Sequence, residues 1–157
     1  MVKCQRSIVI EMLQSKLFYK TNKNKFAGAD SVSHDLLTRA GYIDQLMAGV
    51  FSFFPLGYRV LKNIETIVKK NMEAVGGQEI LLPVLQPKEY WQKTGRWDSL
   101  DILFKVKGST DKEYAMGPTH EEVVSPLAKK VIFSYRDLPF SVFQIQTKFR
   151  DELRAKS

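Results

Sequence analysis

Phe140-Ser-Val-Phe-Gln-Ile-Gln-Thr-Lys-Phe-Arg-Asp-Glu-Leu153 is the stretch from which the rest of the chain is read. It alternates with period two. Gln144, Gln146, Lys148, Arg150 and Glu152 fall on one side of an extended chain, while Phe143, Ile145, Thr147, Phe149 and Leu153 fall mostly on the other. That alternation predicts a half-buried β-strand across Phe140 to Leu153, with an apolar row that needs a core. Residues two apart on one strand face are roughly 6.5–7 Å apart, so Arg150 and Glu152 are spaced to hold two ends of one small ligand. The competing reading is a solvated sheet face whose charges pair loosely.

Outward from this stretch, the pattern is that of an α+β protein. Ser33 to Ala48 has helical character, with Ser33 as a candidate cap, and Val50 to Phe54 reads as a short aromatic strand ended by Pro55. Pro55 opens the longest helix, because proline suits a first turn. Val60, Leu61, Ile64, Ile67, Val68, Met72 and Val75 recur along it at helical spacing, and Gly76-Gly77 ends it. Gln78 to Pro87 reads as a buried strand. Pro83 within it cannot donate to a ladder and belongs at an edge or where the strand meets another chain. A short helix from Pro87 to Thr94 follows, then a hairpin of Ile102–Val106 with Lys112–Met116. Gly117-Pro118 breaks the second strand. Thr119 begins a helix reaching toward Tyr135, with Val123, Val124, Leu127, Val131 and Ile132 inward and a kink expected at Pro126. Consecutive hairpin strands with scattered helices favour an antiparallel sheet flanked by helices over a doubly wound one.

Composition excludes several classes. The chain has 157 residues, enough for one domain with a real core. Its single cysteine, Cys4, rules out an internal disulfide and a cysteine-based zinc site. His34 and His120 lie far apart in sequence, which argues against a histidine-rich metal site. No apolar run is long enough for a membrane span, and Glu11 interrupts the apolar run Ile8-Val9-Ile10. The net charge of +7 is uneven: residues 1–30 carry six Lys or Arg against two acids, and residues 31–157 carry eighteen against fifteen. A basic leader over residues 1–30 suits a polyanion such as RNA, and equally a solubilising tail.

Gly117-Pro-Thr-His-Glu-Glu122 admits two readings. Thr119 and Glu122 have the spacing of a capping box at a helix start. Alternatively, Thr119 and Glu121 line a pocket for a small ammonium group, since a carboxylate is the natural partner of a buried cation.

From about Ser33 to Glu152 the chain resembles the N-terminal part of bacterial-type prolyl-tRNA synthetases, which are class II aminoacyl-tRNA synthetases. The resemblance is carried in order by Ser33-His34, Leu37-x-Arg39-Ala40-Gly41, Phe54-Pro55-Leu56-Gly57-x-Arg59-Val60, Leu82-Pro83-x-Leu85-Gln86-Pro87 and Thr94-Gly95-Arg96-Trp97. Gly117 to Glu122, Ser134-Tyr135-Arg136-x-Leu138-Pro139 and Gln144 to Glu152 complete it. It implies that residues 31–157 are the N-terminal part of a class II antiparallel-sheet catalytic domain. The long helix and following strand then correspond to the dimer-interface motif, with Pro83 as its signature proline. Arg150 and Glu152 would be the catalytic, ATP-binding pair, the arginine on the α-phosphate and the glutamate facing the nucleotide. Thr119 and Glu121 would bind proline. The implied activity is proline–tRNA ligation, with ATP as substrate, Mg2+ accompanying it, and proline and tRNA(Pro) as partners. A homodimer and a cytoplasmic location are implied too. No acidic pair presents itself for the magnesium, and no residue is assigned to a metal.

After Glu152 the family's usual Arg-Pro-Arg-Phe-Gly type of loop is replaced by Leu153-Arg154-Ala155-Lys156-Ser157. The expectation is a chain truncated within the second class II motif and inactive alone. The alternatives are a related class II synthetase for another amino acid, and a non-catalytic synthetase-like module that binds RNA or a partner.

Overall fold

The structure, a computed structural model, describes residues 13–152. The basic patch at the start of the leader, Cys4 and Leu153 lie outside the described residues. The chain divides into two compact units, one running through Asn63 and the other from Ile64 to Ala155.

In the first unit a 3-10 turn, Gln14–Lys16, precedes helix α1, Val32–Arg39. Ser31, not Ser33, is its cap: the Ser31 hydroxyl accepts the His34 N–H at 3.2 Å. The helical character expected through Ala48 stops at Gly41, which adopts φ +69°. A Cβ there would also meet the Lys20 carbonyl oxygen at 2.8 Å. Ile43–Met47 is therefore a strand, β1, which turns at Gly49 (φ +73°) into β2, Val50–Phe53. The two pair antiparallel, Ile43 opposite Phe53 and Asp44 opposite Ser52. His34 is buried between the rings of Phe26 and Phe51, whose centroids lie 5.4 and 5.2 Å away.

Helix α2, Pro55–Ala74, begins at the proline as expected. It ends with Gly76 at φ +84° and the Gly77 N–H on the Met72 carbonyl at 3.0 Å. Its apolar stripe is not covered. Ile64, Ile67 and Val68 are 53%, 62% and 44% exposed, Leu61 and Met72 are half-buried, and the only buried residue of the helix is Gly57. A Cβ at Gly57 would come within 2.1 Å of the Tyr42 carbonyl oxygen, so that position admits only glycine without backbone movement.

The continuous strand expected over Gln78 to Pro87 is interrupted. Gln78–Glu79 (β3) and Leu85–Pro87 (β4) are strands, and the segment between them, with Pro83, is not. Helices α3 (Lys88–Lys93) and α4 (Arg96–Ser99) follow, separated by Gly95 at φ +71°. The expected hairpin is present as β5 (Phe104–Lys107) and β6 (Glu113–Met116). These form an antiparallel sheet ordered β4-β6-β5. Trp91, Trp97, Leu103 and Ala115 pack into one buried cluster with Leu100 partly buried beside it.

Helix α5 is Glu121–Lys129, with Pro126 inside it, and it stops well short of Tyr135. Val123, Val124 and Ile132 are half-buried, whereas Leu127 and Val131, expected inward, are exposed. A second 3-10 turn, Tyr135–Asp137, carries its own capping box from Ser134 and Asp137. The strand expected across Phe140 to Leu153 is reduced to β7, Val142–Phe143, which pairs parallel with β3. The described remainder is extended but meets backbone partners only sparsely: Phe149 N–H reaches the Gly117 carbonyl at 3.2 Å, and Asp151 N–H the Ile102 carbonyl at 2.9 Å. Two bonds spaced in this way do not make a ladder. The architecture is mixed helix and strand, with small antiparallel sheets and one short parallel pair.

Candidate active site

The site is built around the loop between β6 and α5. Gly117 starts it, its N–H on the Val84 carbonyl at 2.8 Å and its own carbonyl taken by Phe149. A Cβ at Gly117 would meet the Gln86 side-chain nitrogen at 2.3 Å. Gln86 is fully buried and donates from that nitrogen to the Thr119 carbonyl at 3.0 Å. The glycine therefore lets a buried amide hold the loop.

The capping-box reading of Thr119 and Glu122 fails. The helix starts at Glu121, His120 is its cap, and no side chain caps it. The Thr119 hydroxyl donates instead to the Glu121 carboxylate. Glu122 turns the other way and is buried, its Oε1 accepting Arg96 Nη1 at 2.7 Å, with Thr94 Oγ1 at 3.3 Å. The Thr119 bond holds the pKa of Glu121 below its ordinary value; burial opposes this, and Arg96 and Lys148 add to it. Glu121 is thus an exposed, ionised carboxylate steadied by its neighbour two residues back.

Beneath the loop lies a polar network in which only the side chains of the Gln-x-Lys pattern were foreshadowed. His120 is 1% exposed. Lys148 Nζ lies 2.5 Å from its Nδ1, and the Pro83 carbonyl oxygen 3.1 Å from its Nε2. An ammonium can only donate, so Nδ1 accepts and Nε2 carries the proton to Pro83. Gln146 is pinned by two bonds to the Leu82 backbone, accepting its N–H at 3.1 Å and donating to its carbonyl at 3.0 Å. Thus Gln146 and Lys148 are half-buried and face inward, and Pro83 contributes its carbonyl to the network.

Burial, and then the Lys148 charge, push the His120 imidazole below its ordinary value of 6.5; burial likewise lowers Lys148. Protonating His120 would place two cations in contact. The unfolded chain takes up this proton near 6.5 while the folded chain resists it, so stability is expected to fall as pH drops below that value. In denaturant titrations from about pH 7 to about pH 5, His120→Gln should flatten this acid-side loss. An unchanged slope would show that another group is responsible.

Thr119, Glu121 and Arg150 line one cavity of about 280 Å3, together with Arg96, Leu100, Ile102 and Pro118. Three of the four residues singled out for substrate are therefore brought together, from a loop, a helix start and an extended segment. The fourth, Glu152, is exposed and lies outside that lining. Arg96, His120 and Gln86 were not foreseen as site residues. All three sit inside motifs of the sequence, but nothing local to them indicates what they face. Among the described residues, no group of three or more His, Cys, Asp or Glu is placed to hold a metal. No helix among them is long and apolar enough to cross a membrane.

No family model matches the chain. Among solved structures, it superposes with a TM-score of 0.68 on prolyl-tRNA synthetase from Cryptosporidium parvum, solved with L-proline and AMP, at 20% identity over 81% of this chain and 26% of that one. On the Giardia lamblia prolyl-tRNA synthetase, in complex with prolyl-adenylate, the TM-score is 0.67, at 26% identity over 74% of this chain and 25% of that one. The fold is that of class II prolyl-tRNA synthetase domains. In sequence the chain is 47% identical over 146 residues to proline–tRNA ligases of Acidithiobacillus ferrooxidans and Aquifex aeolicus, and 50% identical to that of Persephonella marina. Each match takes in 92% of this chain and 26% of the relative. Over nearly all of its length the chain is similar to one part of these proline–tRNA ligases, and it spans about a quarter of the length of the curated relatives it matches.

Proposed function

We propose that the complete protein carrying this segment is a proline–tRNA ligase. A carboxylate oxygen of proline attacks the α-phosphorus of ATP, pyrophosphate leaves, and the prolyl group passes from the adenylate to the terminal ribose of tRNA(Pro). The observation that carries this reading is the meeting of Glu121, Thr119 and Arg150 at one cavity. Glu121 takes the ammonium of proline, with the Thr119 hydroxyl beside it. Arg150 offers a planar fork to the α-phosphate, where charge develops, and Glu152 faces the nucleotide. In this reading Arg150 and Glu152 are the catalytic pair. Magnesium would accompany the ATP phosphates, and it is assigned no residue of this segment. Residues 1–30 form a basic leader and residues 31–157 the start of the catalytic domain, acting in the cytoplasm.

Proline-dependent exchange of pyrophosphate into ATP by the complete protein tests this. Exchange driven only by threonine or serine would overturn the proline assignment in favour of a related synthetase.

The same reading makes the protein a homodimer. The uncovered apolar stripe of α2 needs a partner, because an apolar patch of this kind on a free surface promotes association. A second copy supplies an identical stripe, and the Pro83 segment belongs to the same interface. Sedimentation at micromolar concentration should show a dimer; a clean, soluble monomer would contradict it.

A further inference from the structure

Arg96 has no role in the reading above, yet it is the most constrained cation at the cavity. Its guanidinium is tied through Nη1 to Glu122, whose side chain is 1% exposed. It also lies over the ring of Trp91, with its central carbon 5.3 Å from the ring centroid, and Trp91 is fully buried. A buried counter-ion on one side and an immobile aromatic face on another leave the guanidinium little rotamer freedom. Among the described residues, Glu122 is its sole hydrogen-bond partner, so most of its five N–H donors are free. Arg96 lines the cavity with Thr119, Glu121 and Arg150, close enough to Glu121 to favour the ionised carboxylate.

A cavity with one carboxylate and two guanidiniums is complementary to a zwitterion accompanied by a phosphate. Glu121 accounts for the ammonium and Arg150 for the phosphate. We propose that Arg96 is a further substrate-contacting residue, whose locked guanidinium takes the carboxylate of the amino acid that Glu121 holds by its ammonium. This rests on the reading of the site as an amino-acid activation site. Holding the carboxylate and the ammonium at once fixes the substrate at both ends, leaving one carboxylate oxygen to attack the phosphorus near Arg150. Arg96 moves no proton or electron pair.

The test compares proline with prolinamide, which keeps the ammonium and ring but has no carboxylate. Equilibrium binding of each is measured on the complete protein, as wild type, Arg96→Lys and Arg96→Gln. Lysine keeps a charge for Glu122 but loses the planar fork. Should Arg96→Gln fail to fold because it strands the buried Glu122, the double variant Arg96→Gln/Glu122→Gln removes both charges. Proline affinity should drop roughly ten- to a hundredfold, as for loss of a hydrogen bond to a charged group, with prolinamide affinity unchanged. Equal losses for both ligands would make Arg96 a structural tether of α5 and overturn the proposal, as would no loss for either. If a different amino acid drives pyrophosphate exchange, the proline reading falls, and the same comparison with that amino acid and its amide still decides the role of Arg96.

Discussion

Replacing Glu121 by glutamine in the complete protein should weaken proline binding by roughly thirty- to several-thousandfold, corresponding to about 2–5 kcal/mol. Glutamine matches the size of the side chain and still accepts a bond from the Thr119 hydroxyl, so the loop geometry survives. What disappears is the negative charge opposite the substrate ammonium once the ligand has displaced water from the cavity. ATP affinity should barely move. If the carboxylate served only the start of α5, the loss would be a few tenths to about 1 kcal/mol of folding stability, with activity nearly intact. Arg150→Lys should give the opposite profile. It keeps the charge but not the fork, so adenylate formation slows while proline affinity holds. Measuring proline and ATP binding with single-turnover adenylation on both variants checks this. The same modest loss for both substrates in both variants would mean that the loop and the extended segment do not have separate roles.

The second large effect is on folding. Trp91→Ala should destabilise the chain by about 3–5 kcal/mol, because it empties the centre of the buried cluster with Trp97, Leu103 and Ala115. It would also remove the ring beneath Arg96. Trp91→Phe should cost markedly less. The indole N–H has no hydrogen-bond partner among the described residues, so losing it strands nothing. Denaturant unfolding of the two variants beside the parent reads this directly. A loss below about 1 kcal/mol for alanine would show that the cluster is not what holds this unit together.

The parts of the fold legible in the sequence are those governed by neighbours along the chain. Pro55 and Gly76-Gly77 bound α2 because a ring-fixed φ suits a first helical turn and a left-handed glycine suits an end. The β5–β6 hairpin follows from two short strands about a turn. The segment from Ile43 to Met47 reads as helix from its sequence because its apolar spacing fits either period, and only pairing with β2 makes it a strand.

The candidate site divides along the same line. The sequence by itself determined which residue types are present and in what order: a carboxylate one residue past a histidine in Gly117 to Glu122, and an arginine two residues past a lysine in Gln144 to Glu152. Tertiary structure decided what each one faces. Glu122 meets Arg96 across 26 residues of chain instead of capping Thr119. Lys148 meets His120 across 28, and Gln146 meets Leu82 across 64. The period-two pattern placed Gln146 and Lys148 correctly on one side of an extended chain, but it does not say whether that side meets solvent or a buried imidazole. Local propensity acts over a few residues. A buried polar group, by contrast, must find its partner wherever the fold supplies one, since leaving it unpaired costs about 1–3 kcal/mol.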